Sequence, residues 1–121
     1  MNRETQILYE ARARIIKAMA HPTRLFIVDH LSRGTSCVAE LTRLVGADMS
    51  TVSKHLTVLK AAGIVDDRKQ GAQVYYTLRV PCVMNFFGCV ESILQTNADR
   101  QQGLVQISLA GPDNSSLTGS K

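Results

Sequence analysis

The sequence predicts a mainly α-helical fold with one small β-hairpin, and three patterns in its 121 residues support this. Apolar residues recur at helical spacing in several segments before residue 63. Residues 73–78 instead alternate with period two, with Val74, Tyr76 and Leu78 on one face. A last apolar segment follows Pro81. We therefore expect five helices, with the hairpin between the fourth and the fifth.

The first half of the chain supplies three of these helices. Residues 3–17 interleave cationic and apolar side chains, which is typical of an amphipathic helix that packs against a partner. The phrase HPTR at residues 21–24 interrupts the pattern, and Pro22 favours the start of a second helix. A third helix is expected to begin at Cys37 and to end at Gly46.

The fourth helix has one apolar seam and one small polar face. Val52, Leu56 and Leu59 lie within about 60° of one another on a helix. Asp48 is suited to cap the first turn, and Gly63 suits the left-handed position after the last turn. Hydroxyls, one lysine and small side chains lie opposite the seam, and such a surface can approach base edges closely in the major groove.

The hairpin after this helix has a basic tip. Gly71 supplies the positive φ that a tight loop needs, and Arg68 and Lys69 would face a phosphate or the minor groove. A slender polar helix followed by a basic ribbon predicts a winged helix-turn-helix whose partner is double-stranded DNA. A solvated helix face and a hairpin that only completes the core are the alternatives.

We expect eight residues to contact DNA. They come from the fourth helix and the tip of the wing: Ser50, Thr51, Ser53, Lys54, His55, Thr57, Arg68 and Lys69. His55 lies about 60° from the apolar seam, so a packing role is the alternative for this residue.

Composition agrees with a DNA-binding protein. The net charge of +4 and the pI near 9.2 favour a polyanionic partner. Residues 97–121 hold two cationic and two acidic side chains, so the excess positive charge lies in residues 1–96. We expect residues 1–96 to form one DNA-binding and dimerisation domain, and residues 97–121 to form a loosely ordered tail.

Other classes of protein find little support in the chain. No apolar run approaches the length that spans a bilayer, and no signal peptide opens the chain, so we expect a cytoplasmic protein. Three scattered histidines and no phosphate-binding loop argue against an enzyme. A winged helix used only for protein contact is a further alternative, which the small polar face and the basic wing disfavour.

The phrases KAMAHPTRL, STVSKHL, AAGIV and QVYYTL, in this order and spacing, resemble the ArsR/SmtB family of winged-helix repressors. The resemblance runs from about Glu4 to Leu94. It implies a homodimer whose first and last helices pack together. It also implies release from operator DNA when a metal, a metalloid or another thiol-reactive signal binds.

Three cysteines are the candidate sensor residues. An odd number of thiols in a reducing compartment argues against a disulfide framework. Cys37 stands at a helix start with Glu40 three residues on, as in a capping box, and the helix dipole there favours a thiolate. Cys82 follows Pro81 in the expected first turn of the last helix, and Cys89 lies seven residues further on. Small buried apolar residues are the alternative.

The family resemblance implies a soft trivalent ion, As(III) or Sb(III), as inducer. Arsenic sensors of the family often carry Cys-Val-Cys at the third helix, whereas this chain has Cys37-Val38-Ala39 and lacks the second thiol. Other members place thiols around the last helix, and Cys82 with Cys89 is similar to that arrangement. The expected ligands are therefore Cys82 and Cys89, completed by Cys37 or by a thiol of the second protomer.

Spacing complicates this ligand set. Seven helical residues rise about 10.5 Å, whereas sulfurs that share one ion lie within about 4 Å of each other. Cys82 and Cys89 could share an ion only if the helix start is unwound or if another segment contributes. A redox or persulfide sensor that uses two thiols is the main alternative. Zinc bound through imidazole is a weaker one, since residues 82–94 contain no histidine and only Glu91 as a carboxylate.

Overall fold

The computed structural model describes the backbone of residues 1–110 and the side chains of residues 1–102. The elements in this range are α1 (Arg3–Met19), α2 (Pro22–Leu31), β1 (Ser36–Cys37), α3 (Val38–Val45), α4 (Met49–Ala61), β2 (Val65–Gln70), β3 (Gln73–Leu78) and α5 (Val83–Ala110). The predicted five helices and the hairpin between the fourth and the fifth are confirmed. The chain divides into two compact units, one ending at Pro81 and one beginning at Cys82.

Two of the predicted helix starts are confirmed by their caps. Pro22 is the first residue of α2, and the backbone N–H of Thr23 donates to His21 Nδ1 at 3.1 Å. The backbone N–H of Thr51 donates to Asp48 Oδ1 at 3.0 Å at the start of α4. Each cap satisfies an amide that has no partner within its helix.

The core of the first unit lies where α2, α3 and α4 meet the sheet. The predicted seam of α4 is confirmed, because Val52, Leu56 and Leu59 are each 0% exposed. Ile27 of α2 and Leu41 of α3 are equally buried, and both helices contact α4. Burying one such side chain contributes about 1.5–3 kcal/mol. The seam therefore holds α4 in one rotation, with the opposite face outward.

The sheet is antiparallel, with strand order β1-β3-β2. β2 and β3 pair from Val65↔Leu78 to Gln70↔Gln73, which leaves a two-residue loop. Gly71 in this loop has the predicted positive φ, +60°.

The third strand, β1, was not expected. It holds only two residues, and Ser36 and Cys37 pair with Tyr76 and Tyr75 of β3. A strand of this length contains no periodicity to detect, and only its partner strand defines it.

The helix α5 is 28 residues long. It passes through Asn97, where we expected a loosely ordered tail to begin, and continues to Ala110. Local contacts support this continuation, since Gln95 Nε2 donates to Asp99 Oδ1, one helical turn later, at 3.0 Å. The division of the chain after residue 96 stays a prediction, and residues 111–121 of the expected tail lie outside the described residues. None of the helices in the described range combines the length and the apolar composition of a membrane span.

Candidate nucleic-acid interface

The outward face of α4 is small and polar, as predicted. Ser50, Thr51, Lys54 and Thr57 are exposed, and Ser53 is half-buried. Thr57 Oγ1 donates to the backbone carbonyl of Ser53 at 2.9 Å. Its hydroxyl hydrogen is thus used within the helix, and Thr57 offers a partner its methyl group and one acceptor oxygen. Small side chains of this kind allow the helix to approach DNA closely, because a methyl group can contact thymine and a hydroxyl can contact the base edges.

The start of this face is anchored by Asp48. Hydrogen bonds from Thr51 hold the pKa of the Asp48 carboxyl below its ordinary value, with a smaller contribution from Ser50. The carboxylate therefore stays ionised and accepts the first-turn amides. This cap sets where the recognition face begins, because Ser50 and Thr51 follow it directly.

The tip of the wing is basic on both sides. Arg68 and Lys69 are exposed on β2, opposite Tyr75 and Val74 of β3. Neighbouring residues of a strand point to opposite faces. The two cations therefore lie on opposite faces of the hairpin, near its Gly71 loop.

His55 occupies a different environment from the other predicted residues. It is half-buried, Arg24 Nε donates to its Nδ1 at 3.2 Å, and its ring centroid lies 4.5 Å from that of His21. Burial lowers the pKa of His55 below its ordinary value, and the neighbouring His21 and Arg24 lower it further. The structure thus places His55 in a packing contact between α2 and α4, and its contact with DNA stays a prediction.

Arg24 is a residue that the sequence analysis assigned no role. Its Nη1 donates to the backbone carbonyl of Ala18 at 2.9 Å, while its Nε donates to His55. One guanidinium therefore joins the end of α1, the first turn of α2 and the middle of α4. The HPTR phrase was the only signal for it, since no local pattern indicates a contact 31 residues away.

The predicted capping box at Cys37 is wrong. Cys37 is the cap residue of α3 and is half-buried, but its side chain makes no capping hydrogen bond. Glu40 Oε1 instead accepts from Ser36 Oγ, a buried hydroxyl, at 2.9 Å. A thiol is a weak acceptor, so it does not cap the free amides, and it is also a weak donor, so the neighbouring hydroxyl of Ser36 donates to the Glu40 carboxylate instead.

Cys82 and Cys89 are exposed free thiols of the second unit. Cys82 lies immediately before the first residue of α5, rather than within its first turn. Cys37 belongs to the first unit. Within the described part of the chain, no group of three or more His, Cys, Asp or Glu side chains could hold a metal ion. Ligation by these three cysteines therefore stays a prediction.

Comparison with known proteins agrees with this geometry. The family model described as "Bacterial regulatory protein, arsR family" matches residues 21–67. The chain is 33% identical over 90 residues to the nodulation protein NolR of Rhizobium meliloti, which covers 74% of each protein.

Two solved structures are similar to the fold. One is the homodimeric winged helix-turn-helix DNA-binding domain of a possible ArsR-family regulator from Mycobacterium bovis, with a TM-score of 0.70 and 28% identity over 83% of this chain and 93% of that one. The other is the transcriptional repressor BigR from Xylella fastidiosa, with a TM-score of 0.65 and 31% identity over 77% and 96% of the two chains. This chain therefore belongs to the arsR family of bacterial regulatory proteins.

Proposed function

We propose that this protein is a homodimeric transcriptional repressor that leaves its operator when its cysteine thiols react. Family membership makes it a DNA-binding transcriptional regulator rather than an enzyme. The observation that carries the DNA-binding proposal is the exposed polar face of α4, followed in the chain by a wing with a basic tip. DNA binding in turn supports the cytoplasmic location expected from the sequence.

Dimerisation is supported by apolar surface on the first and the last helix. Four residues of α5 are 40–59% exposed and fall at spacings of four, seven and eight residues, which places them on one helix face: Phe86, Val90, Ile93 and Leu94. Ile7, Leu8, Ile15 and Ile16 of α1 are also exposed. A contiguous exposed apolar face on a helix is typical of a protein interface. We propose that a second copy of this chain covers these faces.

A two-fold dimer would present two α4 helices to one side of the duplex. Half-sites about 34 Å apart, one turn of DNA, would then each receive one recognition helix. Each wing would hold the flanking phosphates through Arg68 and Lys69. Repression follows if the bound dimer occludes the promoter.

This proposal is tested by fluorescence anisotropy with labelled duplex from upstream of the gene and with a random duplex of equal length. We expect a preference of at least about 10³-fold for the upstream duplex and a steep decrease of affinity with salt. Equal affinity for the two duplexes at moderate ionic strength would contradict the proposal.

The inducer we propose is a soft trivalent metalloid, As(III) or Sb(III), bound by thiolates. The exposure of Cys82 and Cys89 supports access of such an ion to both sulfurs. Cys82 lies before the first residue of α5, so helical rise does not by itself keep its sulfur apart from that of Cys89. A third thiol, either Cys37 or a cysteine of the second protomer, would complete the site. Binding near the start of α5 would then change the dimer interface and weaken the DNA-bound geometry.

The second candidate is a cysteine-based redox or persulfide response of the same repressor. Two exposed free thiols on one segment favour it, since this chemistry needs no three-ligand site. A peroxide would oxidise one thiolate to a sulfenic acid, and a second thiol would displace water to form a disulfide.

Release of labelled DNA distinguishes the two candidates. The reduced protein is treated with arsenite, antimonite, zinc, cadmium, hydrogen peroxide or an organic persulfide, and a phosphine reductant is then added. The reductant reverses a disulfide or persulfide but leaves a bound metalloid in place, and intact mass confirms the adduct. Release by arsenite that the phosphine does not reverse supports the metalloid inducer, and release by oxidants alone supports the second candidate.

Cys89→Ser is the most informative variant in this assay. We expect it to bind operator DNA as the wild type does, because Cys89 lies outside the DNA-binding elements, and to respond much less to arsenite. Cys37→Ser provides the comparison that shows whether the third thiol contributes. An unchanged arsenite response of Cys89→Ser would remove this residue from the site.

A further inference from the structure

The wing contains two carboxylates beside its basic tip. Asp66 and Asp67 directly precede Arg68 and Lys69 on β2. Carboxylates this close to DNA phosphates would repel them, so their presence in a DNA-contacting hairpin needs a physical reason. The structure pairs each aspartate with a cation from outside the two strands.

The closer pair joins the wing to the recognition helix. Lys60 Nζ, in the last turn of α4, lies 2.9 Å from Asp67 Oδ1. The hydrogen bond to Asp67 and the charge of this aspartate raise the pKa of Lys60 above its ordinary value. Asp67 is opposite Tyr76 in the register and lies two residues after the buried Val65, so it is on the side of the hairpin that faces the body of the first unit.

Arg79 makes a second set of contacts, at longer distances, between the turn after α4 and the wing. Its Nη1 donates to the backbone carbonyl of Gly63 at 3.3 Å, and its Nε lies 3.8 Å from Asp66 Oδ2. Gly63 has a φ of +82°, and a Cβ there would meet Arg79 Nη1 at 3.1 Å. The turn between α4 and β2 is therefore held from two sides, by Lys60 of α4 and by Arg79, which follows β3.

We propose that Lys60 and Asp67 form a positioning pair, which sets the direction of the wing relative to the polar face of α4. This inference rests on the proposed function, in which both surfaces bind one duplex. Exposed ion pairs contribute little to the stability of a fold. The effect of this pair should therefore appear in the discrimination between DNA sequences rather than in thermal unfolding.

The variant Asp67→Asn separates positioning from charge. Removal of one negative charge near DNA should by itself tighten binding to the operator and to random duplex by the same factor. Positioning predicts instead that the operator loses affinity relative to random duplex, with a decrease of about threefold to tenfold in the ratio of the two.

A charge-exchanged pair and a matched control complete the test. The double variant Lys60→Asp with Asp67→Lys keeps the net charge and restores an ion pair, and we expect a ratio within about twofold of the wild type. Asp29→Asn breaks an exposed pair at the end of α2, in which Arg33 Nη1 lies 3.2 Å from Asp29 Oδ2, with the same change of charge. We expect it to leave the ratio unchanged.

Thermal unfolding of each variant confirms that it is folded before binding is measured. An unchanged or increased ratio for Asp67→Asn, or a ratio for the double variant that is no higher than that of Asp67→Asn, would overturn the positioning role. In that case a wild-type preference for the upstream duplex would leave the proposed function intact. A wild type without such a preference would reject the proposed function itself.

Discussion

Two helices of this chain have apolar stripes of the same kind and differ in what covers them. The stripe of α4, formed by Val52, Leu56 and Leu59, is 0% exposed. The stripe of α5 remains 40–59% exposed. Hydrophobic periodicity predicts an amphipathic helix in both cases but does not identify its cover. The first stripe is covered within its own chain, whereas the second stays exposed and is the face that we propose a second copy covers.

This difference supports separate roles for the two helices in the proposed repressor, DNA contact for α4 and dimerisation for α5. The buried stripe fixes the rotation of α4, so the polar face of this helix is set by the fold of one chain. In the proposed dimer the exposed stripe of α5 lies in the interface, and the two exposed thiols lie just before this helix and in its second turn. In the proposed repressor, a signal at these thiols would act on assembly and leave the polar face of α4 unchanged.

The largest expected effect comes from shortening the buried stripe. Leu56→Ala removes a fully buried side chain from α4 and should lower the free energy of unfolding by about 2–5 kcal/mol, because a cavity remains. Urea denaturation followed by circular dichroism measures it. A loss below about 1 kcal/mol would mean that the seam does not hold α4 as described.

A charge in the exposed stripe should act on assembly. Ile93→Glu places a carboxylate in the proposed interface, and we expect analytical ultracentrifugation to show dissociation to monomers and a large loss of operator affinity. Ser92→Glu, on the same helix but away from the stripe, is the matched control and should remain dimeric. Dissociation of both variants, or of neither, would contradict the assignment of this face.

Removal of the one lysine on the outward face of α4 should have a smaller effect. Lys54→Ala should weaken operator binding by about 1–3 kcal/mol if Lys54 reads a base, or reduce the salt slope by about 1 if it binds a phosphate. Induction should persist. Lys17→Ala, an exposed lysine on α1, provides the comparison, and equal losses for the two variants would argue against a specific role of Lys54.

The smallest effect concerns His55 and pH. Burial lowers its pKa in the folded protein, so the unfolded chain binds a proton at a higher pH than the folded one. His55 therefore contributes to the free energy of unfolding above the ordinary histidine pKa of about 6.5, and this contribution is lost as the pH falls through the lower pKa of His55 in the folded protein.

We therefore expect Tm to decrease as the pH is lowered from about 7.5 to about 5.5. The decrease should be smaller in His55→Asn, whose amide oxygen can still accept from Arg24. His30→Asn should keep the wild-type pH dependence. An equal pH dependence of Tm in the wild type and in His55→Asn would exclude His55 as its source.

Much of the DNA-binding surface could be predicted because its signals are local. The seam at Val52 and Leu56, the Asp48 cap and the positive φ of Gly71 each depend on residues within one or two turns of chain. Local patterns did not reveal the hydrogen bond from Arg24 to His55, the Lys60–Asp67 pair or the strand β1. These contacts join segments that are distant in sequence or too short to show a period.

The sequence by itself determined the winged helix-turn-helix, the polar face of α4 and the basic tip of the wing, because helical and strand periodicity and turn chemistry act over a few residues. Only the tertiary structure decided that His55 packs beside His21, that Asp67 binds Lys60 and that Cys37 does not cap its helix. The physical reason is that burial and ion pairing depend on which distant side chains meet, and this becomes defined only when the helices pack.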